Sequence, residues 1–249
     1  MYQFFIEDEN AAEDFVTIEG SDVNHIKNVL RMKPGEKIRV CTRNGQNYFC
    51  SISDVTESFV RADILEKEAE STELPCRIYL FQGLPKNDKM EWIIQKTVEL
   101  GVYEVIPVAM KNCVVKLDDK KAKSKVMRWQ AIAESAAKQS KRSLIPEVKM
   151  PMSYKEAVAY AKELDVKLVP YENEHGMAGT KAAMEQIKKG ESIAVFIGPE
   201  GGFAPEEIAL VQEEMQLISL GKRILRTETA GIAALAILGY QLESSDMIE

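Results

Sequence analysis

Near residue 72 the spacing of apolar residues changes from every second position to the helical rhythm of three to four, so two architectures follow one another along the chain. Before that point, alternating or β-branched runs at Gln3–Ile6, Phe15–Ile18, Lys37–Thr42, Tyr48–Ile52 and Phe59–Ile64 read as short strands. Asn44-Gly45 supplies a hairpin turn between two of them. A single helix interrupts the strands. Ser21 is its expected N-cap, Val23, Ile26 and Leu30 share its apolar face, and Lys33-Pro34-Gly35 ends it. The polar stretch before Pro75 marks the boundary, which makes residues 1–72 a small β-barrel domain and residues 73–249 a second domain.

In the second domain strands alternate with helices. Strands are predicted at Arg77–Phe81, Val102–Val108, Lys167–Val169, Ser192–Ile197 and Leu217–Leu220. Helices are predicted at Asp88–Leu100, within Ser124–Ser140, near Tyr154–Glu163 and Lys181–Lys188, from Pro205 and from Thr229. Such alternation implies an α/β fold with a mostly parallel sheet covered on both faces.

Composition narrows the function classes. The first residues lack a basic segment followed by an apolar run, and the longest apolar stretch, Ala230–Tyr240, is too short to span a bilayer, so a cytoplasmic location without membrane attachment is expected. Cys41, Cys50, Cys76 and Cys113 form no CxxC pair and only His25 and His175 could join them, so neither a metal site nor disulfides are expected. The net charge of −7 disfavours a nucleic-acid partner, yet Lys111–Lys149 holds eleven Lys/Arg against four Asp/Glu and Ser21–Arg43 holds six against two. Each segment alone reads as a solvated face. Together, in an acidic chain, they suit a phosphate backbone.

Two loops carry the chemistry. In SIAVFIGPEGGFAPEE (Ser192–Glu207) a buried-type strand runs into a glycine-rich loop and then a helix with Pro205 in its first turn. Gly198, Gly201 and Gly202 permit close approach of a ligand to the backbone, although glycines also simply form turns. A phosphate cradle would carry a following Lys and Ser/Thr; this loop has Glu200 instead, which disfavours a polyphosphate. The second loop, Leu220–Ala230, holds Arg226, Thr227, Glu228 and Thr229, and in a parallel sheet both loops open at the strand C-terminal ends where α/β folds bind ligands. Its plainer reading is an Arg226–Glu228 ion pair at a helix start capped by Thr227 or Thr229. The helix that follows is apolar nearly all round and needs cover on more than one side. Lys86–Val102 reads as an amphipathic helix and nothing more.

The segments NHIKNVLRMKPGE (Asn24–Glu36), KMEWIIQKTVELGV (Lys89–Val102), RWQAIAESAAKQSKR (Arg128–Arg142), IGPEGGF (Ile197–Phe203) and LGKRILRTETAGIAAL (Leu220–Leu235) together resemble the SPOUT superfamily of methyltransferases, and within it the ribosomal RNA small-subunit methyltransferase E family, which methylates N3 of a uridine in 16S rRNA. The resemblance covers essentially the whole chain. It departs at Asn24, where the family often has a histidine. It implies a PUA-like barrel followed by a SPOUT-type parallel sheet whose C-terminal segments form a trefoil knot, a homodimer, and S-adenosylmethionine as cofactor. The cofactor would be held by Pro170, Tyr171 and Glu172, by Ile197, Gly198, Pro199, Glu200, Gly201 and Gly202, and by Leu220, Gly221, Ile224, Leu225, Thr229 and Ala230. Arg226 is then the expected stabiliser of charge on the uracil oxygens, and Glu228 either the base or the carboxylate that orients Arg226. Expected RNA contacts are His25, Arg31, Lys33, Lys86, Lys141 and Arg142. Two other readings compete: a SPOUT enzyme acting on tRNA or a ribose 2′-hydroxyl, and a non-catalytic RNA-binding assembly protein, which would have a degraded cofactor loop.

Overall fold

The computed structural model describes residues 1–68, 71–174 and 176–246, in two compact units: Met1–Glu73 with Ala137–Ile145, and Leu74–Ala136 with Pro146–Glu249. Unit 1 is a five-stranded sheet of β1 (Tyr2–Ile6), β2 (Phe15–Glu19), β3 (Lys37–Thr42), β4 (Asn47–Val55) and β5 (Phe59–Glu68) in the order β1-β3-β4-β5-β2. Only β1 and β3 pair in parallel. Alternate residues, among them Phe4, Ile6, Val16, Ile18, Ile38, Val40 and Val60, fill one core. Register shifts between β4 and β5 add twist, and the sheet curls until its edge strands β1 and β2 touch.

The helix of unit 1 begins at α1 (Ser21–Asn24) and continues as a π-helical turn through Val29. Gly20, not Ser21, occupies the N-cap position; its φ of 72° turns the chain one residue earlier and no side chain caps the helix. The expectation that residues 73–249 form one unbroken domain also needs correction. Residues 137–145 pack into unit 1, where Gln3 Nε2 donates to the Arg142 carbonyl at 2.6 Å and Asn47 Nδ2 donates to Ser143 Oγ at 2.8 Å.

Unit 2 contains β6 (Arg77–Gly83), α2 (Lys89–Glu99), β7 (Val102–Ala109), α3 (Asp119–Ser140), whose last residues belong to unit 1, and the two-residue strands β8 (Glu147–Val148) and β9 (Met152–Ser153). They are followed by α4 (Tyr154–Ala161), β10 (Val166–Pro170), α5 (Ala178–Glu185), β11 (Ser192–Ile197), α6 (Pro205–Val211), β12 (Gln216–Ile218) and α7 (Thr227–Asp246). The strand order is β12-β10-β11-β6-β7-β8, with β9 also on β7, and every pair is parallel.

Side chains alternate across this sheet. Tyr79, Phe81, Ala194 and Phe196 face α4 and α6 through Tyr154, Val158, Ile208 and Val211, while α2 and α7 pack together on the opposite face. The strand order therefore reverses between β6 and β11, whose following helices leave to opposite sides. That arrangement opens a crevice at the strand C-terminal ends, where open α/β sheets bind ligands. Among the described residues no helix is long and apolar enough to cross a membrane.

Candidate active site

A cavity of about 600 Å³ lies at this edge of unit 2. Its walls come from the end of β10, from the loop after β11 and from the loop between β12 and α7. Pro170, Tyr171 and Glu172 form one side; Ile197, Gly198, Pro199, Glu200 and Gly202 form the second; Leu220, Gly221, Ile224, Leu225, Arg226 and Ala230 close it. Gly201 and Thr229, which the sequence placed at a ligand, are not in the wall. A side chain at Gly201 would meet Asn112 Cβ at 3.0 Å, so this glycine makes room for Asn112, whose Nδ2 donates to the carbonyls of Gly201 at 3.0 Å and Gly202 at 3.2 Å. Gly202 has a φ of 67°, and a Cβ there would sit 3.4 Å from Glu172 Oε1, across the cavity.

Buried hydrogen bonds join the two loops. Thr227 Oγ1 donates to the Gly198 carbonyl at 2.6 Å and accepts from Gln82 Nε2 at 2.9 Å. Gln82 is fully buried at the end of β6. Thr227 is consequently no N-cap: α7 begins at Thr227 itself, with the Arg226 carbonyl accepting from Ala230 N at 2.8 Å, so Arg226 stands at the helix entrance and Thr229 lies inside the first turn, exposed.

A charged cluster, which sequence reasoning missed, borders the cavity. Lys89, in the first turn of α2, reaches into the cavity wall with its Nζ 3.0 Å from Glu200 Oε1 and 3.2 Å from Glu228 Oε2. The hydrogen bond to Glu200 holds the ammonium above its ordinary pKa, against the opposing pull of burial, so Lys89 stays protonated. Burial pushes the Glu200 carboxyl up, but hydrogen bonds from its own N–H, from Lys89 and from the Lys86 N–H at 3.1 Å outweigh it and leave the pKa lowered. Glu228 stands behind Lys89, outside the wall. Its expected partner was Arg226; the structure gives it Lys89, and Arg226 is exposed with no carboxylate paired to it among the described residues. The available signal was positional: the β6–α2 connection opens at the same sheet edge as the other two loops.

A model described as an RNA methyltransferase domain matches residues 72–239, and one described as an RNA methyltransferase PUA domain matches residues 18–65. The ribosomal RNA small subunit methyltransferase E of Bacillus subtilis is 39% identical, with 98% of each chain covered. The chain belongs to the ribosomal RNA small subunit methyltransferase E family. Another member, from Mesomycoplasma hyopneumoniae, is 36% identical over 93% of this chain and 96% of its own. The crystal structure of the family member from Neisseria gonorrhoeae bound to S-adenosylmethionine superposes with a TM-score of 0.83 at 33% identity, covering 96% of both chains.

The cavity fits that cofactor chemically. Carboxylates of Glu172 and Glu174 suit the cationic groups of that ligand, Lys222, Arg223 and Arg226 suit its carboxylate, Ile197, Pro199, Leu220 and Leu225 supply apolar walls for an adenosine, and the glycine loop itself carries no lysine to clamp phosphate. The expected RNA contacts divide. His25, Arg31 and Lys33 are exposed on unit 1 and Lys86 is exposed on unit 2. Arg142 corrects the reading, being 3% exposed and ion-paired with Glu73, whose Oε1 also accepts from Ser143 N at 2.8 Å. Lys141 donates from Nζ to the Met1 carbonyl at 2.6 Å, and burial pushes its ammonium below the ordinary pKa. Among the described residues no group of three His, Cys, Asp or Glu side chains is placed to hold a metal ion, and His175 lies outside the described residues.

Proposed function

We propose that this chain methylates N3 of a uridine in the 16S rRNA of the small ribosomal subunit, with S-adenosylmethionine as methyl donor, in the cytoplasm and as a homodimer. The observation that carries this reading is the cavity at the ends of β10, β11 and β12, which gathers thirteen of the fifteen residues expected to hold the cofactor. When bound, S-adenosylmethionine supplies an electrophilic methyl group. The residues of the chain do the rest: the backbone of the two loops holds the donor, the Thr227 bridge fixes one loop against the other, and Arg226 in the wall faces charge that develops on a uracil oxygen. Glu228 takes an orienting role, acting on Lys89 instead of Arg226.

The C-terminal loops are threaded, in this reading, as a trefoil knot. The dimer uses α7, on which Ile232, Ala233 and Ile237 remain half-buried and Tyr240 is 75% exposed, leaving an apolar strip for a two-fold partner. His25, Arg31, Lys33 and Lys86 meet RNA phosphates. Mass mapping of methylated nucleosides in ribosomal RNA tests the reaction. Cells lacking the gene should lose one 3-methyluridine from 16S rRNA, and the purified protein should restore it; an unchanged 16S map with a lost tRNA or ribose methyl would transfer the enzyme to another substrate.

A further inference from the structure

We propose that Lys89 is a catalytic residue for methyl transfer, its ammonium meeting a uracil carbonyl oxygen as the N3 proton leaves; this rests on the uridine-N3 reading above. Uracil N3 carries a proton and is a poor nucleophile. In the step, the N3–H bond breaks and the proton passes to water, the electron pair left behind spreads over N3 and the flanking oxygens, N3 bonds to the methyl carbon as the sulfur–carbon bond breaks, and a neutral thioether departs. Transient negative charge on the oxygens is what the site must stabilise.

Four observations place Lys89 at that task. It lines the cavity together with Pro199 and Arg226, so it is open to a base entering there. Its Nζ is gripped from two sides, by Glu200 at 3.0 Å and Glu228 at 3.2 Å, contributed by the loop after β11 and by α7. Both carboxylates are partly buried, and the 3.2 Å contact with Lys89 Nζ is the polar contact that Glu228 Oε2 makes among the described residues. The side chain is nonetheless 28% exposed, which leaves room at the ammonium for a third oxygen. The charged groups paired with the ammonium are Glu200 and Glu228, and Arg226 also lines the cavity. Held between two carboxylates and kept protonated, Lys89 cannot serve as the base; it is a fixed positive charge, already oriented before the reaction.

The test uses the full chain, a single-turnover assay and an RNA oligonucleotide carrying the target uridine or 5-fluorouridine, whose N3 is the more acidic. Lys89→Met should lower the rate at saturating cofactor and RNA about 100-fold, the cost of removing one charge-stabilising donor. S-adenosylmethionine and RNA affinities should stay within about threefold, because Glu200 keeps its Lys86 N–H anchor. The 5-fluoro substrate should recover about tenfold of the loss in Lys89→Met while changing the parent less, since an acidic N3 needs less help. Lys89→Arg should recover a large part of the rate on ordinary uridine. A folded Lys89→Met with parent-like rate overturns the proposal. So does a loss that 5-fluorouridine leaves untouched, or one that appears wholly as weakened cofactor binding, since either marks a packing role. Failure of the uridine-N3 reading is seen separately, as a parent protein whose product is methylated at another atom.

Discussion

Two clusters that pair a cation with carboxylates, one in each unit, differ in the cation they use and in what they face. In unit 1 the Arg142 guanidinium lies 3% exposed against Glu73, with Ser143 N donating to the same carboxylate. In unit 2 the Lys89 ammonium meets Glu200 and Glu228 but opens onto the cavity. The guanidinium, planar and forked, closes a core; the ammonium, compact and rotatable, keeps a donor for something outside the protein. The contrast teaches that a cation–carboxylate contact acquires a functional reading only from its surroundings. Arg142 belongs to a basic run that reads as an RNA grip and serves as structure, whereas Lys89 sits on a helix that reads as mere scaffold and borders the active site.

The largest effect expected is on stability. Arg142→Ala should destabilise unit 1 by roughly 3–5 kcal/mol, because it leaves Glu73 partly buried and unpaired. Lys89→Met should shift stability by less than about 1 kcal/mol, since its contacts are partly solvated. Urea denaturation of both variants checks the pair, and equal losses would erase the distinction. Next in size is Thr227→Val, which keeps shape but strands the Gly198 carbonyl and one N–H of Gln82 Nε2, the other going to the Gly83 carbonyl; a cost of about 1–3 kcal/mol with weaker cofactor binding is expected. Parent-like cofactor affinity in that variant would mean the two loops do not need the bridge.

How far the sequence reveals this follows from the range of each signal. Strands and helices of both units are legible because periodicity is local, and the loops after β11 and β12 are legible because Gly, Pro and polar runs punctuate them. Lys89 is not legible: its partners lie 111 and 139 residues away in sequence, and only the strand order brings three loops to one edge. The return of residues 137–145 to unit 1 is silent for the same reason, since no composition change marks the point where α3 passes from one unit to the other. Thr227 misleads because a threonine before an apolar run resembles a cap, while its hydroxyl is engaged by Gly198 instead. The two-residue strands β8 and β9 are too short to leave a period.

A smaller effect concerns pH. The Glu200 carboxyl is held below the ordinary glutamate value of 4.5, so its interaction with Lys89 contributes fully above that value and fades only as pH falls through the lower value of the folded protein. The cluster should therefore keep its charges, and cofactor affinity should stay level, from about pH 8 to about pH 5; a decline that sets in on acidification well above about pH 5 would contradict the assignment. The smallest effect is spread over the exposed cations proposed to meet RNA: Arg31, Lys33 and Lys86 changed together to Ala should flatten the salt dependence of RNA binding by about 0.7–0.9 in log–log slope for each phosphate no longer neutralised. An unchanged slope would return these cations to the solvent.

The most direct test of the central claim, that the cavity at the ends of β10, β11 and β12 is a methyl-donor site, is calorimetric titration of the full chain with S-adenosylmethionine and, separately, with ATP and NAD. The structure predicts one S-adenosylmethionine site per chain, weakened by Thr227→Val, and much weaker binding of either nucleotide, because the Gly198–Gly202 loop lacks the following Lys and Ser/Thr of a phosphate cradle. Binding of ATP or NAD with none of S-adenosylmethionine would contradict it.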